Sequence, residues 1–323
     1  WVQSAMLASL ISSPVTGDPT RNEAVAKERR GRALERLHAD GHISAEEMST
    51  LDSYPVPRQR RSRQDEFEET YYLEEVKQIL LDATYLGDTK LDRTEAVFAG
   101  GLRVFTTFDP AAQDAAERAI AAVIPPNEWD VTAALASVEP GTGAVRALVG
   151  GPGFADYKFN IATQRPGRST GSSFKSFVLA AAMDAGYVPT DVMDGTGPCE
   201  FDNTGGTPNP YEVENFGGSR GSIGTIRQMT LSSSNCAFVK LGQIVGLANV
   251  SETANALGVT STLDPGVISM PLGPIDITPM EMATAYASIA NVGIRVEPFY
   301  IERVETRDGI VLFDRSQDEA AQR

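Results

Sequence analysis

The chain has 323 residues, 41% hydrophobic and 22% charged, which describes a folded globular protein with room for two domains. A formal net charge of −15 argues against nucleic-acid binding, because phosphate contacts need clustered Lys and Arg. No run reaches the roughly 18–20 apolar residues that span a bilayer, and no charged n-region marks a signal peptide before or at Trp1-Val2-Gln3, a start that reads as the interior of a longer chain.

Residues 1–54 read as helices. The apolar segment Ala5 to Ile11 is broken by Ser12-Ser13-Pro14 and by the turn Gly17-Asp18-Pro19. Arg21 to Asp40 carries Ala24, Ala33, Leu34 and Leu37 among dense charges and stops at Gly41. Ser44 and Glu47 have the spacing of a capping box for a short last helix. This surface-exposed module holds the chain's only histidines, His38 and His42, and no evident catalytic group.

Composition changes at Tyr54-Pro55-Val56-Pro57 and the basic run Arg58 to Arg63, which reads as linker, with phosphate or anionic-lipid contact the lesser alternative. Residues 55–128 read as a small α/β connector. It starts with a helix over 67–83, placing Tyr72, Leu73, Val76, Ile79 and Leu80 on one stripe. A strand from Leu102 to Thr107 follows Gly100-Gly101, and Asp109 caps an alanine-rich helix that runs to Val123.

From Trp129 the pattern changes again. Ala133 to Val138 and Gly143 to Val149, joined by Glu139-Pro140-Gly141-Thr142, predict an antiparallel hairpin. A helix over 172–185 follows. The stretch Gly186 to Gly224 is too rich in Gly, Pro and Asn to be regular throughout, and loops this long in a compact domain are usually functional. Helices resume around Ile226–Val245 and at Pro279–Ala290, and Tyr300 to Val304 with Ile310 to Phe313 form a closing hairpin. Cys199 and Cys236 lack metal-ligand spacing. Two buried thiols and a single disulfide in an oxidising compartment are both open readings.

Ser172 and Lys175 stand three apart at a helix start, after the glycine-rich loop Arg165 to Gly171. They share a face there, and the unpaired N–H groups of a helix start favour developing negative charge. That sets a nucleophile beside a base that needs no histidine. Alone the pattern is weak, since such a serine is more often a plain N-cap and such a lysine more often solvated. Two features weigh against the plain reading. The run Phe177 to Ala182 is wholly apolar, so a lysine on this helix needs a reason to be there. The polar triplet Ser233-Ser234-Asn235, between Arg227–Leu231 and Ala237-Phe238-Val239, sits against a second core element.

Ser-x-x-Lys followed by a Ser-x-Asn-type triplet is the motif order of penicillin-binding proteins and class A β-lactamases. The flanking text agrees: Asn160-Ile161-Ala162-Thr163-Gln164, Tyr211-Glu212-Val213-Glu214-Asn215-Phe216, and Ile277-Thr278-Pro279-Met280-Glu281-Met282-Ala283. Over nearly its whole length the chain resembles the transpeptidase domain of class A, bifunctional penicillin-binding proteins. The resemblance implies an α+β fold, an antiparallel sheet with helices. Residues 129–323 would be the penicillin-binding transpeptidase domain, 55–128 the interdomain linker, and 1–54 the C-terminal helical tail of a glycosyltransferase domain.

The same resemblance implies roles. Ser172 would attack a D-alanyl-D-alanine stem peptide or a β-lactam and become an acyl-enzyme. Lys175, its pKa lowered by burial, would take the proton. Ser233 would relay a proton to the leaving amine, and Asn235 would hydrogen-bond the substrate amide. The N–H of Ser172 would supply half of an oxyanion hole. No metal or cofactor is implied. The implied location is the extracytoplasmic face of the bacterial cytoplasmic membrane, reached only through an N-terminal anchor outside this chain, with other cell-wall synthesis proteins as partners.

The departures matter as well. Neither Lys-Thr-Gly nor Lys-Ser-Gly follows Asn235, so the third motif is expected beyond Arg323, and the glycosyltransferase's catalytic glutamate before Trp1. Losing one oxyanion donor costs roughly 10²–10³ in rate. A serine β-lactamase or D,D-carboxypeptidase on the same fold is the nearest alternative. However, Ser234 stands where class A β-lactamases usually carry Asp. A non-catalytic binding or scaffold module is the third.

Overall fold

The computed structural model describes residues 1–11, 16–19, 21–56, 69–124, 128–129, 131–202 and 209–317. The break at Ser12-Ser13-Pro14, the basic run Arg58 to Arg63 and the last six residues lie outside these. The chain divides into two units, Trp1–Glu68 and Glu69–Arg323.

The first unit contains α1 (Val2–Ile11), α2 (Glu23–Ala39) and α3 (Ala45–Ser53). Asn22 caps α2 by accepting from the Val25 N–H, and the capping box at Ser44 and Glu47 is formed in both directions. Ala5, Leu34 and Ile43 make its small core. Ala24 faces solvent, whereas Ala26 and Arg30 are buried. Arg30 is a charge in the dense charged stretch that goes inside. Its guanidinium donates to the carbonyls of Asp52 (2.7 Å) and Tyr54 (2.8 Å), which gives the buried cation hydrogen-bond partners at the end of α3.

The second unit opens with α4 (Tyr71–Asp82), capped by Thr70, and α5 (Lys90–Ala99), which sequence analysis does not anticipate. Helix α4 buries Tyr71, Tyr72, Val76 and Leu80, while Leu73 and Ile79 of the expected stripe are 41% and 39% exposed. Of the expected stripe only Tyr72, Val76 and Leu80 reach the core, joined there by Tyr71. Then come β1 (Arg103–Thr106), α6 (Pro110–Val123) with Asp109 at its N-cap, and the hairpin β2 (Leu135–Val138) and β3 (Val145–Val149).

Strand β4 (Arg168–Ser169) leads to α7 (Lys175–Asp184). The Gly-rich stretch holds four short strands, β5 (Val192–Asp194), β6 (Cys199–Phe201), β7 (Tyr211–Val213) and β8 (Ile223–Thr225), paired β5 with β8 and β6 with β7. Helices α8 (Ile226–Leu231), α9 (Asn235–Val245) and α10 (Leu247–Leu257) follow. The chain then forms β9 (Asp276–Ile277), α11 (Pro279–Ala290), β10 (Ile301–Glu305) and β11 (Val311–Asp314).

Three pairings give the unit its frame. Strand β1 joins the closing hairpin in an antiparallel sheet of order β1-β10-β11, with Val104 opposite Val304. Strand β4 pairs with β9, setting Arg168 opposite Ile277. On the sheet side, Tyr72, Val145, Leu148, Tyr300, Ile301 and Val304 form one core. On the helix side, Phe174, Phe177, Val178, Phe238, Leu241, Val250 and Ala285 form another. Helix α7 runs through the second core, which explains why it is apolar nearly all round. Each large side chain fully buried there stabilises by about 1.5–3 kcal/mol.

Candidate active site

The residues before α7 form a 3₁₀ turn, Gly171–Phe174, where sequence analysis expects the helix to begin. The turn is held from outside. The Gly171 N–H and the Ser169 hydroxyl both donate to the carbonyl of Gly273, at 2.9 and 2.7 Å. Gly273 has φ +69°, and a Cβ there would lie 2.2 Å from the Gly171 oxygen, so only glycine permits this approach. On the other flank, the Tyr286 hydroxyl from α11 donates to the Ser173 carbonyl at 2.7 Å. Ser172 and Ser173 are exposed on this turn, and Phe174 is fully buried beneath it.

The Lys175 N–H bonds the Ser172 carbonyl, an i to i+3 bond. In 3₁₀ geometry residues three apart eclipse, so Ser172 stands over the first residue of α7. Lys175 itself is 4% exposed. Its ammonium has three protons and three acceptors: the Ser233 carbonyl at 2.7 Å, Asn235 Oδ1 at 2.8 Å and Ser233 Oγ at 3.1 Å. The Phe238 ring lies 5.4 Å away on the apolar side. Burial lowers the Lys175 pKa from 10.5 to about 8. Among the described residues no carboxylate forms an ion pair with it.

Ser233 and Asn235 reach Lys175 because the helical region expected around Ile226–Val245 is two helices, α8 and α9, with the polar triplet at their junction. At the end of α8 the Ser233 N–H bonds the Thr230 carbonyl (3.1 Å), and the Ser234 N–H bonds that of Met229 (3.0 Å). These are the two bonds of a Schellman motif, with Ser233 at C′ in the left-handed region, φ +51°. Glycine or asparagine usually stands there, and an L-residue with a Cβ costs roughly 1–2 kcal/mol. Ser234 then caps α9 by accepting from the Ala237 N–H at 3.3 Å. The strained joint turns both the carbonyl and the hydroxyl of Ser233 toward Lys175.

Asn235 is the first residue of α9. Besides accepting from Lys175, it donates from Nδ2 to the Glu214 carbonyl at 2.9 Å. Each end of its amide keeps one further hydrogen-bonding position. The next residue, Cys236, is joined to Cys199 by a disulfide with the Cα atoms 6.0 Å apart, tying β6 to the first turn of α9. Thus four of the residues singled out by sequence converge: Lys175, Ser233 and Asn235 touch, and Ser172 stands on the turn above Lys175. Both histidines lie in the first unit, where His38 Nδ1 contacts the Ile43 carbonyl at 2.9 Å. Sequence reasoning missed Tyr286 and Gly273, and noted Asn215 only within the run Tyr211 to Phe216, without a role. No spacing singles these out, and the fold alone brings them to the site.

The chain is similar to known proteins over most of its length. The family model described as penicillin binding protein transpeptidase domain matches residues 133–323. Penicillin-binding protein 2D of Bacillus subtilis (strain 168) is 29% identical over 314 residues, which make up 97% of this chain and 44% of that protein. Penicillin-binding protein 1A of Mycolicibacterium smegmatis is 30% identical over 336 residues, 98% of this chain and 40% of that protein. The chain therefore spans less than half the length of these two relatives. Among solved structures, the penicillin-binding protein PonA1 from Mycobacterium tuberculosis superposes with a TM-score of 0.65 at 29% identity, covering 77% of this chain and 64% of that one. Penicillin-binding protein 1A from Haemophilus influenzae, at 22% identity, shares the fold over 97% of this chain with a TM-score of 0.75. With more than half its residues matched by the family model, this chain belongs to the penicillin-binding protein transpeptidase domain family.

Proposed function

We propose that the chain carries the acylation centre of a peptidoglycan D,D-transpeptidase, with Ser172 as nucleophile and Lys175 as base. The observation that carries this reading is the buried Lys175, held by Ser233 and Asn235 directly beneath the exposed turn of Ser172. With a pKa of about 8, roughly one lysine in ten is neutral at pH 7, enough to serve as a base. Ser172 Oγ attacks the carbonyl carbon of the penultimate D-alanine, and its proton passes to Lys175 Nζ. The C–N bond breaks, and the leaving D-alanine amine takes a proton delivered through Ser233 Oγ. An amine of a second stem peptide then attacks the ester, releasing Ser172 and forming the cross-link. The Ser172 N–H faces the developing oxyanion, and Asn235 uses its spare donor and acceptor on the substrate amide. A β-lactam acylates the same serine. Penicillin complexes are known for the relatives from Mycobacterium tuberculosis.

The remaining assignments follow from the resemblance. Residues 1–54 are read as the end of a glycosyltransferase domain and 55–128 as a linker. The site would face the extracytoplasmic side of the cytoplasmic membrane, and the Cys199–Cys236 disulfide supports an oxidising compartment. Among the described residues no helix is long and apolar enough to cross a membrane. The test is labelling of the intact gene product with a fluorescent penicillin. One label on Ser172, lost in Ser172→Ala, is the expected result. Labelling that persists in Ser172→Ala would sink the assignment, and rapid release of the label would favour a β-lactamase.

A further inference from the structure

Asn215 has no part in the reaction described above, yet it is 6% exposed and its amide is used from both ends. Oδ1 accepts from the Ser234 hydroxyl at 3.1 Å and the Cys236 N–H at 3.3 Å, while Nδ2 donates to the Gly195 carbonyl at 2.9 Å. The first N–H groups of a helix have no acceptor within it. In α9 Ser234 takes that of Ala237 and Asn215 takes that of Cys236. One residue earlier, the Glu214 carbonyl holds the Asn235 side chain. Residues 214 and 215 therefore grip both the first turn of α9 and the amide that turn presents to Lys175. Ser234 lies between the two residues that bond Lys175, so moving it moves both.

The surroundings leave no latitude. A Cβ at Gly221, whose φ is +63°, would lie 2.8 Å from Asn215 Nδ2 and 2.2 Å from the Gly195 oxygen. The space admits an amide of this size beside bare backbone.

We propose that Asn215 is a positioning residue for acylation: it sets Ser233 and Asn235 against Lys175 without touching the substrate. The inference rests on the reading of Ser172 and Lys175 as the acylation pair. Asn215→Asp keeps the shape but replaces the donor facing the Gly195 carbonyl with an oxygen, leaving two acceptors opposed. Because small misplacements at a reacting centre cost up to about 10²-fold, the rate of acylation is where the change registers.

The experiment follows the intact gene product reacting with a fluorescent penicillin, separating three quantities: label stoichiometry, the binding constant and the first-order acylation rate. In Asn215→Asp we expect about one label per chain, a binding constant changed less than about threefold, and an acylation rate lowered about 10- to 100-fold. Ser234→Gly keeps a tolerated N-cap residue and removes the hydroxyl that Asn215 holds. It should lower the rate about five- to tenfold, and the double variant should fall no further than Asn215→Asp alone. A wild-type acylation rate in Asn215→Asp overturns the proposal. So does a lowered stoichiometry with an unchanged rate in the labelled fraction, which marks a merely structural role. If Asn215→Asp does not fold, the rate in Ser234→Gly decides alone. An unlabelled wild type would overturn the acylation reading instead.

Discussion

Lys175 is a buried cation with the Phe238 ring 5.4 Å away and every ammonium proton already bonded. Water is replaced by carbonyl, hydroxyl and amide oxygens, and the desolvation that remains lowers its pKa to about 8. The charged form is thus less favourable in the folded state than in the unfolded chain, and that cost is relieved as pH rises from about 8 toward 10.5. With Lys175 as the proposed base, acylation needs the neutral amine, so its rate should climb about tenfold per pH unit up to roughly 8 and then level off. Lys175→Arg, which stays protonated, should lose about 10²–10⁴-fold. A profile that keeps rising to pH 10 would show that burial does not set this base. The Ser172–Lys175 spacing was legible in the sequence because an apolar helix surrounds the lysine. Ser233 and Asn235 were legible as the second motif, but the use of the Ser233 carbonyl was not, since it depends on a backbone joint no propensity announces.

That joint belongs to the scale of elements. Residues 226–245 read as helical, and they are, apart from the break at Ser232–Ser234. Helix ends are usually marked by glycine at C′, and here a serine occupies that position at φ +51°. The signal was hidden because a serine in the left-handed region gives no propensity cue for a helix end. Ser233→Gly should therefore raise stability by about 1 kcal/mol while lowering penicillin acylation, since the hydroxyl 3.1 Å from Lys175 is gone. Thermal unfolding and labelling rate measured on the same preparation check both halves. A variant less stable than wild type would mean that the side chain, not the backbone turn, holds the joint. Helices α5 and α10 escaped notice for simpler reasons. The first buries no residue fully, and the second follows α9 after a single glycine, Gly246. The capping box of Thr89 and Asp92 was the readable sign of α5.

At the scale of the whole molecule, Glu281 ties distant segments together. From α11 it accepts from Thr278, Thr260, Ser261 and Arg165, linking the loop before Ser172 to the segment after α10. Burial pushes its pKa up, but the hydrogen bonds from Thr278, Thr260 and Ser261 outweigh that and hold it at about 2, below the usual 4.5. A depressed carboxylate contributes stability above its unfolded pKa and loses it as pH falls through the folded one. Glu281→Gln should thus cost about 2 kcal/mol at pH 7, and the gap to wild type should close between pH 4.5 and 2. Urea midpoints of both proteins at pH 7 and pH 3 test this, and an equal gap at the two pH values would refute it. Sequence placed Glu281 in a family-like run but gave no hint that it is a buried node, because its partners come from three separate stretches.

Strand β1 has one neighbour among the described residues, β10, which is made much later in the sequence, after α11. During synthesis from the N-terminus, β1 must therefore wait as an open edge, a template for wrong partners. Tyr72 waits with it, since its ring packs edge-on against Tyr300 at 5.2 Å. Pairing so remote in sequence is slow to form. The β10–β11 hairpin thus acts as a clasp: the sheet-side core seals only when these two strands arrive, and any delay in delivering them lengthens the interval of exposure.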